Sequence, residues 1–482
     1  MSYLRTGYMS QLQPSFKVLS HDQVLELHNA SLEILDRIGV RFYHDESIEI
    51  MKRGGCQIDE GNIVKIPSWL VERSIRSAPK RIMMCDQEGN RIMPLEGRNS
   101  FLGTGSDCLH VVDHRTNKRR QSNLSDVVEG MRVCDALPNI DFVMSMFYPW
   151  DVPADAAVKH QMEVMLEHTN KPIVFVTESL KGCVDSVRMA EVVAGGEAEL
   201  RKNPFVACYI NVTTPLRQNR EALEKVLYLS GKGLPYVYVP SVRRGITSPM
   251  TMASGLAMNT AGILAGLVLS QLNQEGSPII LCAGGAVQAI DLKTLGSAYA
   301  APERLYESAL PEFYGLPRWG LGGCSDSKTM DEQAVFEAGM TMFIDILNGV
   351  HLIHDVGYLE GGLSGSLELL VICDEMIGWM KQLFKGLEIS EETLAIDLIE
   401  QVGHDGQYID SEHTVRHLRE DWFPELIDRE TFENWIADGA KDLREKAREK
   451  VDSILDGEPT TYLSDSEREQ IKSIVREAGE SG

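Results

Sequence analysis

Small and polar residues crowd directly behind an apolar run at Gly322-Gly323-Cys324-Ser325-Asp326-Ser327-Lys328, with Asp331 and Gln333 close after. Packing alone does not call for such density, and a loop of this kind meets a ligand. A second run, His351-Leu352-Ile353-His354-Asp355, carries two histidines three apart. In a strand they point to opposite faces and cannot share one metal without a bulge. His354, nearer the carboxyl end, is therefore the site candidate, and His351 reads equally well as core. Aromatic rings gather at Phe147-Tyr148-Pro149-Trp150 and recur at Tyr209 and Tyr238. Ring faces attract a quaternary ammonium through their quadrupole, although aromatics flanking a proline also serve simple packing. Tyr209 shares a strand face with Asn211, and Tyr238 with Pro240, so both tyrosines line a pocket or both lie in an outer layer. Glu178 can balance a cationic substrate or close a rim salt bridge. In Gly103-Thr104-Gly105-Ser106-Asp107 the glycines let backbone N–H groups approach a ligand, and Asp107 can accept a hydrogen bond.

The absences narrow the chemistry. There is no Ser/His/Asp nucleophile elbow, no phosphate loop, and no legible zinc or magnesium ligand set. The stretch Gly103–Cys108 lacks the third glycine of a dinucleotide fingerprint. Cys324 has no histidine at supporting spacing, and buried free cysteine is inert. A reaction that asks little acid, base or metal of the protein fits this inventory.

The elements that must position these residues are eight short apolar runs, at 100–104, 141–147, 172–177, 205–211, 235–240, 278–283, 317–323 and 349–354. Four begin at a proline, which suits the first residue of a strand. Little in/out alternation marks strands covered on both faces. Eight such strands separated by helical stretches predict a closed (β/α)8 TIM-type barrel, whose chemistry sits on loops leaving the carboxyl ends of the strands. The barrel spans 100–400. Residues 1–99 read as an N-terminal α+β cap, opened by a Ser20/Gln23 capping box ahead of Val24, Leu27, Ala30, Ile34 and Ile38. Residues 401–482 read as a charged helical extension with Leu443, Ala447, Val451 and Leu455 at helical spacing, and Ser464 and Glu467 as a second capping box. Further helices are expected at 154–168, 215–231 and 366–383.

With 482 residues, 43% hydrophobic, the chain is long enough for one barrel with an appendage at each end. A formal net charge of −24 argues against nucleic acid and anionic membranes, which need clustered Lys and Arg. The nine cysteines are scattered and never form Cys-x-x-Cys, as in a reduced cytoplasmic protein. Arg5, Gln11, Gln13 and Lys17 without an apolar core fit a chain with no signal peptide. Between Arg244 and Glu275 no side chain is charged, long enough to tempt a membrane-span reading. Asn259, Thr260, Gln271 and Asn273 with many small residues favour instead a buried barrel helix, or a pair of helices. A large barrel with long C-terminal helices is expected to pair as a symmetric homo-oligomer.

The strand-seven segment with Asp331 and Gln333 resembles the trimethylamine methyltransferase family. So do the Gly103–Asp107 turn, the stretch 357–362, and the late Glu412-His413-Thr414-Val415-Arg416-His417 run with Trp422, Pro424 and Arg429. The resemblance spans nearly the whole chain. It implies a β/α barrel that hands a methyl group from an amine to the Co(I) corrinoid (cobalamin) of a separate small protein, with no cofactor tightly bound to this chain. The family's trimethylamine enzymes carry a pyrrolysine, whose position falls in the strand-seven region, whereas this chain is written in the twenty standard residues. It thus resembles the branch that demethylates quaternary amines such as glycine betaine, proline betaine or carnitine. On that reading Phe147, Tyr148, Tyr209, Tyr238 and Tyr358 form the pool for a cation cage. His354, Asn211 and Gln333 hold the substrate carboxylate or shape the pocket floor, Glu178 adds charge, and Asp107 and Asp326 orient loops. Two other readings stay open at this point: a metal- or Schiff-base-dependent barrel lyase using Glu178, Lys328 or His354, and a non-catalytic betaine-binding protein.

Overall fold

The computed structural model describes residues 16–293, 299, 302–385, 388–420 and 422–477. Arg5, Gln11 and Gln13 lie outside these.

Every apolar run of the barrel forms a parallel strand or its equivalent. Seven pair in one sheet: β1 (Phe101–Leu102), β3 (Ile173–Val176), β4 (Val206–Val212), β5 (Tyr236–Pro240), β6 (Ile279–Cys282), β7 (Arg318–Leu321) and β8 (Leu352–His354). In space their order is β1-β8-β7-β6-β5-β4-β3. The eighth member, β2, is the segment 141–143, which joins the two free edges. Asp141 N donates to Leu102 O at 2.7 Å and Val143 N to Pro172 O at 2.9 Å, while Gly103 bridges Phe142 and Val143 bridges Ile173, both in parallel. The sheet thus closes on itself, which removes its edges. All four residues of β6 and of β7 are buried, as strands covered by lumen and helices must be.

Helices follow the strands in turn: Leu124–Ala136, Ala154–His168, Leu180–Ala194, Arg220–Lys232, Met252–Asn273, Glu332–Leu347 and Leu367–Leu383. After β6 the connection instead carries a 3-10 turn, Pro302–Tyr306, and a short helix, Ala309–Phe313. The helix expected over 215–231 begins later, at Arg220. Arg217 and Gln218 are held extended by parallel pairing with Arg41 and Phe42 of the cap, so Pro215 serves a turn rather than a first helical turn.

The uncharged stretch forms one helix, Met252–Asn273, rather than a pair. It is the only described helix long and apolar enough to cross a membrane, and most of it is buried within the fold. Cap helices His21–Glu33, Asp45–Arg53 and Ser68–Ser77 pack over it. Close approach needs its small residues: a Cβ on Gly262 would lie 2.5 Å from Pro215 Cα, and one on Gly266 would lie 2.1 Å from the Tyr238 ring.

Both capping boxes form. Ser20 Oγ accepts from Gln23 N at 3.2 Å, and Ser464 Oγ from Glu467 N at 3.3 Å. The tail packs back on the barrel. Helix Leu443–Asp456 buries Ala447 and Val451 against Leu367–Leu383, where Arg444 and Arg448 reach the fully buried Glu368 at 3.2 and 3.0 Å. Helix Asp465–Arg476 caps the Ala154–His168 and Leu180–Ala194 pair.

Candidate active site at the barrel mouth

Strand register decides which rings enter the lumen. Gly320 faces helix Glu332–Leu347, where a Cβ would lie 2.3 Å from Asp345 Oδ2, so Trp319 and Leu321 face inward. Trp319 there meets Phe142 from β2 (5.8 Å between ring centroids), Tyr209 from β4 (5.5 Å) and His354 from β8 (4.4 Å). Tyr209 and His354 are themselves 5.8 Å apart. Four strands thus contribute one aromatic layer. Within it Phe142 and Trp319 are fully buried, whereas Tyr209 keeps accessible surface. Trp319 Nε1 is buried without a hydrogen-bond partner among the described residues.

His354 Nδ1 is 2.6 Å from Gly320 O and its Nε2 is 3.4 Å from Asp355 Oδ1. Burial lowers its pKa below the usual histidine value, against the raising effect of Asp355, so near neutral pH the ring is uncharged and does not repel a cation. Asp355 sits in the left-handed region (φ 76°), a strained position for a non-glycine that points to a functional constraint. Tyr299 OH donates to its Oδ2. Room for that carboxylate comes from Gly105, where a Cβ would lie 1.9 Å from Asp355 Oδ1.

Loops fix Tyr299 over the mouth. Its N–H donates to both oxygens of Asp326, at 2.8 and 3.1 Å, and its carbonyl accepts from the buried Arg304 at 2.8 Å. Burial raises the Tyr299 phenol well above its ordinary value, keeping it neutral. Arg243, just beyond β5, is exposed to solvent, yet it lies within electrostatic reach of Tyr299, Glu307 and Tyr209, and desolvation by the groups around it lowers its pKa. Its guanidinium has no hydrogen-bond or ion-pair partner among the described residues. A cation placed beside neutral rings can receive an anion.

The predicted pool divides sharply. Tyr209 lies in the lumen layer. Tyr238 does not, because β4 and β5 pair Tyr209 with Val237 and Ile210 with Tyr238. Its ring therefore faces outward onto Gly266, and its hydroxyl bonds Gln218. The expectation that Tyr209 and Tyr238 would share one fate is corrected by that register. Phe147 also faces outward, between Gly130 and Gly365. Tyr358 is buried over Gly105, with its hydroxyl donating to Met146 O at 3.1 Å. Tyr148 is half-buried at the rim, edge-on to Trp150 at 4.9 Å and within electrostatic reach of Glu178 and Asp107.

Glu178 and Asn211 are exposed beyond the ends of β3 and within the last turn of β4. Gln333 is displaced from the mouth onto an exposed helix face, donating to Glu337 at 3.1 Å, because Asp331 caps that helix and starts it before Gln333 can turn inward. Asp107 accepts from Gln161 at 2.8 Å, and burial raises its pKa. Asp326 holds Tyr299, and Lys328 is tied at 2.6 Å to the Asp326 carbonyl. The buried Cys324 thiol is pushed above its ordinary value by desolvation, which removes it as a nucleophile. Sequence reasoning missed Trp319, Phe142, Tyr299 and Arg243. Trp319 was legible in principle, since it is the one aromatic residue in the run 317–323 and shares a strand face with Leu321, whereas nothing local marks Arg243 or Tyr299.

The trimethylamine methyltransferase (MTTB) family profile matches residues 3–481. Trimethylamine methyltransferase MttB of Desulfitobacterium hafniense is 32% identical over 464 residues, covering 95% of this chain and 93% of that protein. MttB of Methanosarcina barkeri is 30% identical, covering 95% and 94%. A glycine betaine methyltransferase of Desulfitobacterium hafniense is 28% identical, covering 93% and 94%. Among solved structures, the Methanosarcina barkeri monomethylamine methyltransferase (MtmB) aligns with a TM-score of 0.45 at 13% identity, covering 90% of this chain and 92% of that one.

Proposed function

The chain belongs to the trimethylamine methyltransferase family, and from that premise we propose that it moves a methyl group from a quaternary amine bearing a carboxylate, of the glycine betaine type, to the Co(I) corrinoid of a separate protein. That it is a methyltransferase follows from the family. The single observation that supports the substrate class is the pairing, at one barrel mouth, of a neutral aromatic layer with a guanidinium that has no partner among the described residues: Tyr209, Tyr299 and His354 beside Arg243. A betaine carries charges of both signs a few bonds apart, and this mouth offers a counterpart to each.

The acceptor cobalt supplies the nucleophile for in-line attack on the methyl carbon, and the amine leaves neutral, so no proton moves. The protein's part is positioning. Tyr209 and Tyr299 turn ring faces to the trimethylammonium group and replace its water. Asp355, held by Tyr299, adds negative charge next to the cation. Arg243 takes the carboxylate and fixes which methyl points outward. A neutral His354, clamped on Gly320 O, forms the base of the site without opposing charge. These roles need no acid, base or nucleophile from the protein. Lys328 is committed to a loop carbonyl and Cys324 is inert, which disfavours the Schiff-base alternative.

The test is an anaerobic assay following loss of Co(I) absorption of a reduced corrinoid protein. Glycine betaine, proline betaine, carnitine, γ-butyrobetaine and trimethylamine are supplied in turn. A betaine is expected to be the best substrate. Trimethylamine as the best substrate would sink the reading, and tight binding without transfer would leave a binding protein.

A further inference from the structure

Outside the barrel, the segment 388–440 is unusual for its poverty of core. Among its described residues only Leu426 is buried, while Ile389, Ile409, Val415 and Phe432 are each more than 65% exposed. Its short helices Glu391–Leu394, Ile396–Val402, Glu412–His417 and Phe432–Ala437 cannot be held by apolar burial of that size, since small units without a core depend on a cross-link or a metal.

A cross-link of the second kind is built there. His413 and His417, four apart in Glu412–His417, lie on one helix face, with ring centroids 4.3 Å apart. Glu392 faces them from Glu391–Leu394. One ligand atom from each of Glu392, His413 and His417 can be drawn so that all lie within 4.8 Å of one another. His417 Nε2 stands 3.3 Å from Glu392 Oε1, and its Nδ1 stands 2.8 Å from Glu420 Oε2. This is the outer carboxylate that orients a metal-binding imidazole. His413 Nε2 is shielded from solvent and has no hydrogen-bond partner among the described residues. Arg416 also reaches Glu392 Oε1, at 2.7 Å, but a carboxylate has a second oxygen and further lone pairs to offer.

We propose that Glu392, His413 and His417 bind one divalent transition-metal ion, Zn2+ in the first instance, which pins residues 391–394 to residues 412–417. Two imidazoles and a carboxylate are a zinc donor set, and the fourth position is left for water. The ion closes a loop of twenty-odd residues that little else holds, so its binding energy is folding energy for this segment. The site takes no part in the amine chemistry, and its test does not depend on that reading.

The full chain is stripped with chelator and titrated calorimetrically with Zn2+, and separately with Co2+ followed by visible absorption. One ion per chain is expected, with the ligand-field bands of a four-coordinate Co2+ centre. His413→Ala/His417→Ala should weaken Zn2+ binding by on the order of a hundredfold or more, and Glu392→Gln, a gentler change, should weaken it less. Hydrogen exchange across 388–420 should slow on Zn2+ addition in the unaltered chain and not in the double variant. Zn2+ binding of equal strength in all three proteins, or no stoichiometric binding, would overturn the proposal.

Discussion

Trp319 and His354 lie ring on ring, 4.4 Å between centroids and 37° between planes, although they stand on different strands and out of direct register. The stack and the bond from His354 to Gly320 O leave the imidazole one orientation. Replacing Trp319 by Ala should open a cavity and cost about 3–5 kcal/mol of stability, read by denaturant unfolding. Trp319→Phe should keep most of the stack and lose less. If His354 is merely core, the two variants will differ in stability alone and not in turnover.

Tyr209→Ala should weaken glycine betaine binding by about 1–2 kcal/mol, or roughly five- to thirtyfold. Tyr238→Phe should leave affinity unchanged, because Tyr238 faces the outer layer, while losing about 1 kcal/mol of stability with its bond to Gln218. Calorimetry on the two variants separates lumen from outer layer. Equal effects on affinity would contradict the orientation of β5.

Arg243→Gln should discriminate between ligands. Affinity for glycine betaine is expected to fall by about 1.5–3 kcal/mol, the worth of a charge-assisted hydrogen bond, while tetramethylammonium, which lacks a carboxylate, binds as before. Competition binding with both ligands checks this, and a parallel loss for both would remove Arg243 from carboxylate recognition.

Asp345 carries a sign-definite pH dependence. Burial raises its pKa to about 7, with Leu321 N as its backbone donor at 2.8 Å. Its folded value lies above its unfolded value near 3.8. The native state therefore holds the proton longer, and stability falls as pH rises from about 4 to about 7. Asp345→Asn should erase this slope, worth on the order of 4 kcal/mol over the whole range. Thermal unfolding of both proteins at pH 5 and 7.5 measures it: the Tm of the unaltered chain should drop relative to the variant.

Glu368 is fully buried between Arg444 and Arg448. Changing both arginines to Met should strand its charge and cost about 3–5 kcal/mol, whereas adding Glu368→Met should restore much of it. Denaturant unfolding of the double and triple variants decides whether the tail is tied to the barrel by this pair.

The sequence alone determined the strands, their parallel closure, and the capped ends at Ser20 and Ser464. Those properties are written in local periodicity and in side chains acting on their own backbone, such as Ser20 on Gln23. Tyr209 and Asp326, which it singled out at strand ends, lie in the lumen layer and against the Tyr299 backbone. Tertiary structure alone decided that Tyr238 and Phe147 face outward, that Trp319, Phe142 and Tyr299 gather at the candidate site, and that Arg243 is left without a partner among the described residues. It also gathered Glu392, His413 and His417, where the sequence showed no ligand set. The reason is physical: the direction of a side chain in a closed barrel depends on register between strands far apart in the chain. A charge becomes available only by what the rest of the fold fails to bring near it.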